Sequence, residues 1–331
     1  MNDKLVLVTG GAGFIGSNIV AGLVDRGRRV AICDRLGTDD KWRNLAKREL
    51  ADFVLPELLG DWLDVEGDRV EAVVHMGAIS STTERDADLV VDSNFSLSLM
   101  LWQWCAEAEA PLIYASSAAT YGDGSRGFDD DGSIEGLATL RPMNVYGWSK
   151  HLFDRRVARI VADGGPTPPR WAGLKFFNVY GPNEGHKGAM QSVVAKAHRA
   201  IRDGGPVELF TSHHPDYPDG GQRRDFVHVG DCVDIVLWLL DNPAASGLFN
   251  VGTGRARSFH DLANAVYAAL GLPADIRFIP MPEEIRPKYQ YFTEARMERL
   301  RKAGYNAPFT SLEDGVADYV RRYLEADDPY R

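Results

Sequence analysis

The segment YGWSK sets Tyr146 and Lys150 four residues apart. On a helix both side chains share one face. A phenol titrates near about 10 and is a poor base at neutral pH. A fixed ammonium beside it, together with the positive ring of a nicotinamide, would favour the phenolate and draw that value down, so the tyrosine could take a proton from a hydroxyl. Upstream, YASSAATYG supplies Ser117 after a strand-like run, where its hydroxyl can bond the reacting oxygen. Tyr-x-x-x-Lys spacing alone is common in ordinary amphipathic helices, so its meaning depends on its surroundings. A second lysine, Lys187, stands in NVYGPNEGHKGAM between His186 and Gly188. An isolated loop lysine is ordinarily a surface charge or a phosphate ligand. Desolvation and the nearness of Lys150 could instead lower its pKa enough for it to act as a base, with Gly185 and Gly188 letting the loop approach closely.

TGGAGFIGS carries Gly10, Gly13 and Gly16 in G-x-x-G-x-x-G spacing, with Gly11, Phe14 and Ile15 among them. The triplet follows a strand-like run and opens a helical pattern. In that context glycines permit a tight turn and let the backbone approach a pyrophosphate, whose charge faces the N–H groups of the helix start. Asp34, at the end of the next strand-like run, is placed to accept hydrogen bonds from an adenosine ribose, which favours NAD. Arg35 and Lys41 could pair with a 2′-phosphate, which favours NADP, the slightly preferred cofactor. Arg35 could equally be a solvated surface charge. HMGAIS ends a further strand with small residues, so Met76, Gly77, Ala78 and Ser80 are expected at the cofactor edge of the sheet, with His75 packed or hydrogen-bonded. Asn94, Val179 and Lys150, toward the cofactor ribose, complete the expected contacts.

These residues need a frame. KLVLVTG (4–10), RRVAICD (28–34), EAVVHMGA (71–78) and PLIYASS (111–117) are apolar runs separated by helical patterns near 41–54 and 87–109. Such runs suit parallel strands covered on both faces, a Rossmann-type doubly wound α/β sheet. The reading divides the chain into a dinucleotide-binding region, 1–175, to which segments near 225–252 return, and a smaller mixed α/β substrate-binding region, 176–331. Later elements include a helix at 188–203 and a polar loop at 211–222.

TGGAGFIGS, YASSAATYG, YGWSK and FFNVYGP together resemble the extended short-chain dehydrogenase/reductase family, from Lys4 to about Leu324, and RRDFVHVGD (223–231) and GLFNVGTGRARSF (247–259) fit its later segments. Within it, ISSTTE (79–84), NVYGWSKHLFD (144–154), NVYGPNEGHKGAM and KYQYFTEA (288–295) are most similar to the epimerases that invert C6 of an ADP-heptose, a lipopolysaccharide precursor. The resemblance implies transient oxidation to a ketone on a tightly bound nicotinamide cofactor. It assigns Tyr146 and Lys187 as the two acid/base groups, Ser117 as the group polarising the oxygen, and Lys150 as the residue that holds the cofactor ribose and tunes Tyr146. Substrate contacts are expected from Ser117, Asn178, Ala189, Lys196, Phe210, Arg224 and Tyr289. Arg224 is the preferred diphosphate or nucleotide ligand, against an ion pair with Asp225 or Asp231. The insertion-like stretch 123–142 and the loop 211–225 differ from the family pattern, and the loop is expected near the nucleotide end of the substrate.

Two other readings stay open: a nucleotide-sugar 4-epimerase or 4,6-dehydratase, and a non-catalytic NAD(P)-binding protein. Ala118 and Ala119 stand where the dehydratases usually carry an Asp-Glu pair, and a 4-epimerase would leave Lys187 without a role. A non-catalytic protein would not need Ser117, Tyr146 and Lys150. The net charge of −10, from 37 basic and 47 acidic residues, argues against a nucleic-acid surface. Cys33, Cys105 and Cys232 lack metal or redox spacing, and His213 and His214 lack helical ligand spacing, so no metal is expected. Without a signal peptide or an apolar span, the expectation is a cytoplasmic protein off the membrane, and a homo-oligomer.

Overall fold

The computed structural model describes residues 3–283, 285–286 and 289–331, so the first residue of KYQYFTEA, Lys288, lies outside it. Twelve strands are seen among the described residues: β1 (Leu5–Thr9), β2 (Val30–Cys33), β3 (Asp52–Val54), β4 (Val70–His75), β5 (Leu112–Ser117), β6 (Trp171–Phe176), β7 (Asn178–Tyr180), β8 (Val207–Phe210), β9 (Arg223–His228), β10 (Gly247–Val251), β11 (Ala256–Ser258) and β12 (Ile276–Ile279). The runs LVLVT and VAIC are buried at every position, as strands covered on both faces must be.

Seven strands form one sheet in the order β3-β2-β1-β4-β5-β6-β10, every pairing parallel. The order reverses between β1 and β4, and ligands of such sheets bind outside the strands' carboxyl ends at that crevice. Gly10, Met76 and Ala118 follow directly on β1, β4 and β5. Helix Val229–Asp241 packs on helix Phe14–Asp25, where a Cβ on Gly22 would come within 2.7 Å of Val233 Cγ1. A second core gathers Tyr180, Leu209, Phe226, Val266 and Val316 around a sheet of β11-β9-β7 and a β12-β8 pair.

Three elements differ from the sequence reading. The stretch 41–54 is a 3-10 turn, Asp40–Leu45, followed by edge strand β3, whose Asp52 and Phe53 are exposed. The helix expected at 188–203 starts at Val193, because Ser192 caps it by accepting from the Ala195 N–H. The long helix over 87–107 passes through a π-helical turn at Asp92–Ser96. The 123–142 stretch is tied to the core: Phe128 packs edge-on to Tyr121 at 5.5 Å, and Asp130 accepts from the Asn250 N–H at 2.8 Å. Among the described residues no helix is long and apolar enough to cross a membrane.

Candidate active site

A cleft of about 480 Å³ opens at the β1–β4 crevice. The glycine loop forms its floor. Gly10, at φ +66, has no room for a Cβ, which would lie 2.6 Å from the Gly77 N; one on Gly16 would lie 2.1 Å from the Gly10 O. Gly13 caps helix Phe14–Asp25 without a side-chain hydrogen bond, and Phe14, Ile15 and Gly16 line the cleft, so the helix start is open to an anion. Gly11 stands behind this surface, against Ile32.

Asp34 lies at the end of the cleft. Its Oδ2 accepts from the Ala12 N–H at 2.8 Å, and its Oδ1 from Lys41 Nζ at 2.6 Å. Arg35 faces away, exposed, and pairs with Glu57 at 3.0 Å, the surface-charge alternative of the sequence reading. Met76, Gly77, Ala78, Ser80 and Val179 line the cleft. His75 lies beneath them, bonded to Thr9 Oγ1 at 2.6 Å and Ser98 Oγ at 2.8 Å, and burial pushes it down to about 3. Asn94 does not reach the cleft. Its side chain clips both the N–H and the C=O of Ile79 and donates to Ser149 Oγ at 2.9 Å, bracing the wall from behind.

Tyr146 and Lys150 project from helix Val145–Ala162, which starts at Asn144 through a side-chain bond to the Gly147 N–H. A Cβ on Gly147 would fall 2.7 Å from the Ala119 O, so only glycine lets the helix come this close to the turn after Ser117. That approach seats the Tyr146 phenol against the Ser117 hydroxyl. Burial raises the phenol's pKa and the Ser117 bond pulls it partly back. Lys150 is itself buried and drawn down to about 8, with Asp154 opposing.

Asp154 belongs to a cluster that sequence reasoning missed. It pairs with Lys175 at 2.9 Å, both side chains fully buried, and accepts from Ser116 Oγ at 2.7 Å. Lys175 also donates to Thr120 Oγ1 at 2.8 Å, and Thr120 donates in turn to the Ser117 O. The available signal was a lysine inside the apolar strand WAGLKF.

Lys187 enters the same cleft from a separate element, the turn Gly185–Met190, with its ammonium over the Phe14 ring. Burial lowers its pKa; Glu184 opposes and Lys196 adds to the lowering. The neighbouring cation is thus Lys196, on the helix that follows, and not Lys150. No other protein atom lies within 4 Å of a Cβ placed at Gly185 or Gly188, and Gly188 takes φ +52. His186 and Met190 also line the cleft, as do Phe176 and Phe177, four residues the sequence reading did not select.

The remaining expected substrate contacts lie outside this cleft. Asn178, Ala189 and Lys196 are exposed. Arg224 is buried between the rings of Tyr289, at 5.4 Å, and Phe259, at 5.6 Å. Phe210 packs edge-on to Tyr289 at 6.3 Å. Arg224 donates to the Arg223 and Gln290 carbonyls and has no carboxylate partner among the described residues. Asp225 instead holds the Thr253 and Ala295 N–H groups, and Asp231 holds Thr310. In the nearby loop, His213 donates its N–H to the Tyr291 hydroxyl and the His214 ring packs on Tyr217.

Residues 6–252 match the NAD dependent epimerase/dehydratase family. A curated protein of Nitratidesulfovibrio vulgaris, ADP-L-glycero-D-manno-heptose-6-epimerase, is 52% identical over 98% of this chain and all of its own length. The crystal structure of the Helicobacter pylori ADP-L-glycero-D-manno-heptose-6-epimerase superposes with a TM-score of 0.79 at 26% identity, covering 97% of this chain and 96% of that one. The Thermus thermophilus UDP-glucose 4-epimerase in complex with NAD superposes at 0.75 and 28% identity, covering 98% of this chain and 100% of that one. With three quarters of its length in the family match and its relatives aligned end to end, the chain belongs to the NAD dependent epimerase/dehydratase family.

Proposed function

We propose that this chain inverts C6 of an ADP-heptose by transient oxidation to a ketone, reduced again on its other face. The observation that carries this reading is the entry of two proton-transfer groups into one cleft from different elements: Tyr146 from helix Val145–Ala162 and Lys187 from the turn Gly185–Met190. Inversion moves the oxygen across the carbon, so one fixed group cannot serve both orientations. Tyr146, bonded to Ser117, takes or returns the hydroxyl proton at one oxygen position. Lys187, desolvated and without an ion pair among the described residues, does so at the other.

The cleft fits a nicotinamide dinucleotide. A side chain at Gly10 or Gly16 would overlap backbone, and the uncapped helix start offers N–H groups to a pyrophosphate. A nicotinamide held there would supply a reversible hydride acceptor for the C6 carbinol. Asp34 and Lys41 would hold the adenosine ribose, and Lys41 inside the cleft supports a preference for NADP. Lys150 would bind the nicotinamide-side ribose and hold positive charge near Tyr146. Arg224 and its aromatic neighbours suit a nucleotide. On this reading residues 1–175, with 225–252 returning, carry the cofactor and the rest mainly carry substrate. The three buried free thiols suit a cytoplasmic enzyme.

The test is turnover of ADP-heptose against a panel of other nucleotide sugars, followed by NMR, in the chain and in Lys187→Met. C6 inversion is expected for ADP-heptose alone, falling by about two orders of magnitude or more in the variant, the scale for losing a general acid/base. Inversion at C4 of a hexose substrate would overturn the reading, and near-normal turnover by Lys187→Met would remove that lysine from it.

A further inference from the structure

We infer that Asn44 is a positioning residue for Lys187, joining the loop that carries this lysine to the phosphate-binding glycine loop. The inference rests on Lys187 being an acid/base group. Asn44 is 2% exposed, at the end of the turn Asp40–Leu45. Its side-chain amide donates its two N–H groups to the Ala12 O of the glycine loop at 2.9 Å and to the Asn183 O at 3.2 Å, and its nitrogen also lies 3.2 Å from His186 Nδ1. Two carbonyl oxygens fix which end of the amide faces them, because the oxygen end would be repelled. The His186 ring packs beside this amide and so sits at the same joint. Burial and the Lys41 charge both lower the His186 pKa.

Two further asparagines hold the same joint. Asn18 donates to the Phe14 O at 2.9 Å and to the Pro182 O at 3.0 Å, and Asn183, at φ +71, donates to Ser17 Oγ at 3.0 Å. The backbone just before Lys187 is therefore fastened to the first turn of helix Phe14–Asp25 by buried side-chain amides. Asn44 differs from the other two in its location. It sits on the turn whose Lys41 holds Asp34, so the ribose end of the cleft, the glycine loop and the lysine loop meet at one residue. A cofactor that settles Lys41 and the glycine loop would thereby also settle Lys187.

Asn44→Ala removes the donors, and Asn44→Asp turns acceptor oxygens toward the two carbonyls. In the holoenzyme each is expected to lower kcat by about tenfold or more, the scale of leaving buried partners unsatisfied. KM for ADP-heptose should change by less than about twofold, as for an interaction expressed in the transition state, and the cofactor should still co-purify. Amide hydrogen exchange across 182–190 should speed up by about tenfold or more while β5 and β6 keep their protection. Unchanged exchange across 182–190, or a rise in KM with kcat intact, would overturn the inference. Should both variants fail to fold, the unmodified holoenzyme decides: segments 40–45 and 182–190 should open with one common protection, and independent opening would overturn it. The exchange readout does not depend on turnover. Loss of the base assignment for Lys187 would therefore show in Lys187→Met alone, separately from a failure of Asn44 to hold the loop.

Discussion

The Lys187 ammonium lies 4.9 Å from the centroid of the Phe14 ring, the first side chain beyond the glycine loop. An aromatic face favours the charged form by about 0.5–2 kcal/mol, whereas burial favours the neutral one and leads the downward shift at Lys187. Phe14→Leu keeps apolar bulk and the backbone N–H but removes the ring. The Lys187 pKa should then fall further. Acylation of Lys187 followed by mass spectrometry across a pH series should show it becoming reactive at lower pH in the variant, with cofactor still bound. A titration that stays in place would mean the ring does not stabilise the ammonium.

Lys150 gives a pH dependence with a definite sign. Burial draws it from 10.5 to about 8, so its charge is lost as pH rises through about 8. If that charge is required beside Tyr146, kcat/KM should decline above this pH. Lys150→Arg, which stays charged, should shift the alkaline limb upward even if it lowers the plateau. The stability effect has the opposite direction. The unfolded chain binds more protons between about 8 and 10.5, so the cost of burying this ammonium is fully present below about 8 and relieved as pH rises. An alkaline limb identical in Lys150→Arg would assign it to another group.

The sheet and the cofactor edge were legible in the sequence because both rest on local signals. Continuous apolar runs mark the covered strands, and glycines mark a turn that excludes side chains. Tyr146, Lys150 and Ser117 were legible for the same reason, through helical spacing and a strand end. What surrounds them was not. Asn94 was selected as a cofactor contact, and what spacing did not reveal is that a π-helical turn and three hydrogen bonds tie its side chain to Ile79 and Ser149. The neighbours that shift Lys187 come from helix Val193–Arg202 and the preceding Glu184, and the cation among them is Lys196, not Lys150. Such pairings depend on how elements dock, which spacing within one element cannot encode.

Arg224 is a buried guanidinium held by two rings and two carbonyls, with no carboxylate among the described residues. An arginine so desolvated is charged and short of counter-charge, as a diphosphate site requires. Arg224→Ala should raise KM for ADP-heptose far more than it lowers kcat, the signature of lost uniform binding. Arg224→Lys should recover only part of the loss, since a point charge replaces a planar fork. A fall in melting temperature with KM unchanged would instead make Arg224 a brace for the Gln290 backbone.

The ion pair of Asp154 and Lys175 offers the sharpest separation of stability from chemistry. Both side chains are fully buried, with Ser116 and Tyr114 bonded to the carboxylate and Thr120 to the ammonium. Asp154→Asn would leave a buried ammonium without a counter-charge, at a cost of about 3–5 kcal/mol. Joint replacement, Asp154→Leu with Lys175→Met, removes both charges and should restore part of that loss, because a buried pair contributes little net stability over apolar residues of similar size, although the Ser116 and Tyr114 hydroxyls lose their acceptor. Activity should not return with it. Thr120 bonds the Ser117 carbonyl and Ser116 adjoins Ser117, so loss of both charged partners frees the serine that holds the Tyr146 phenol. Urea unfolding should therefore place the double variant between Asp154→Asn and the unmodified chain, while kcat stays down by about tenfold, the scale of a mispositioned reacting group short of full loss. Recovery of kcat together with stability would show the pair to be a purely structural fastening.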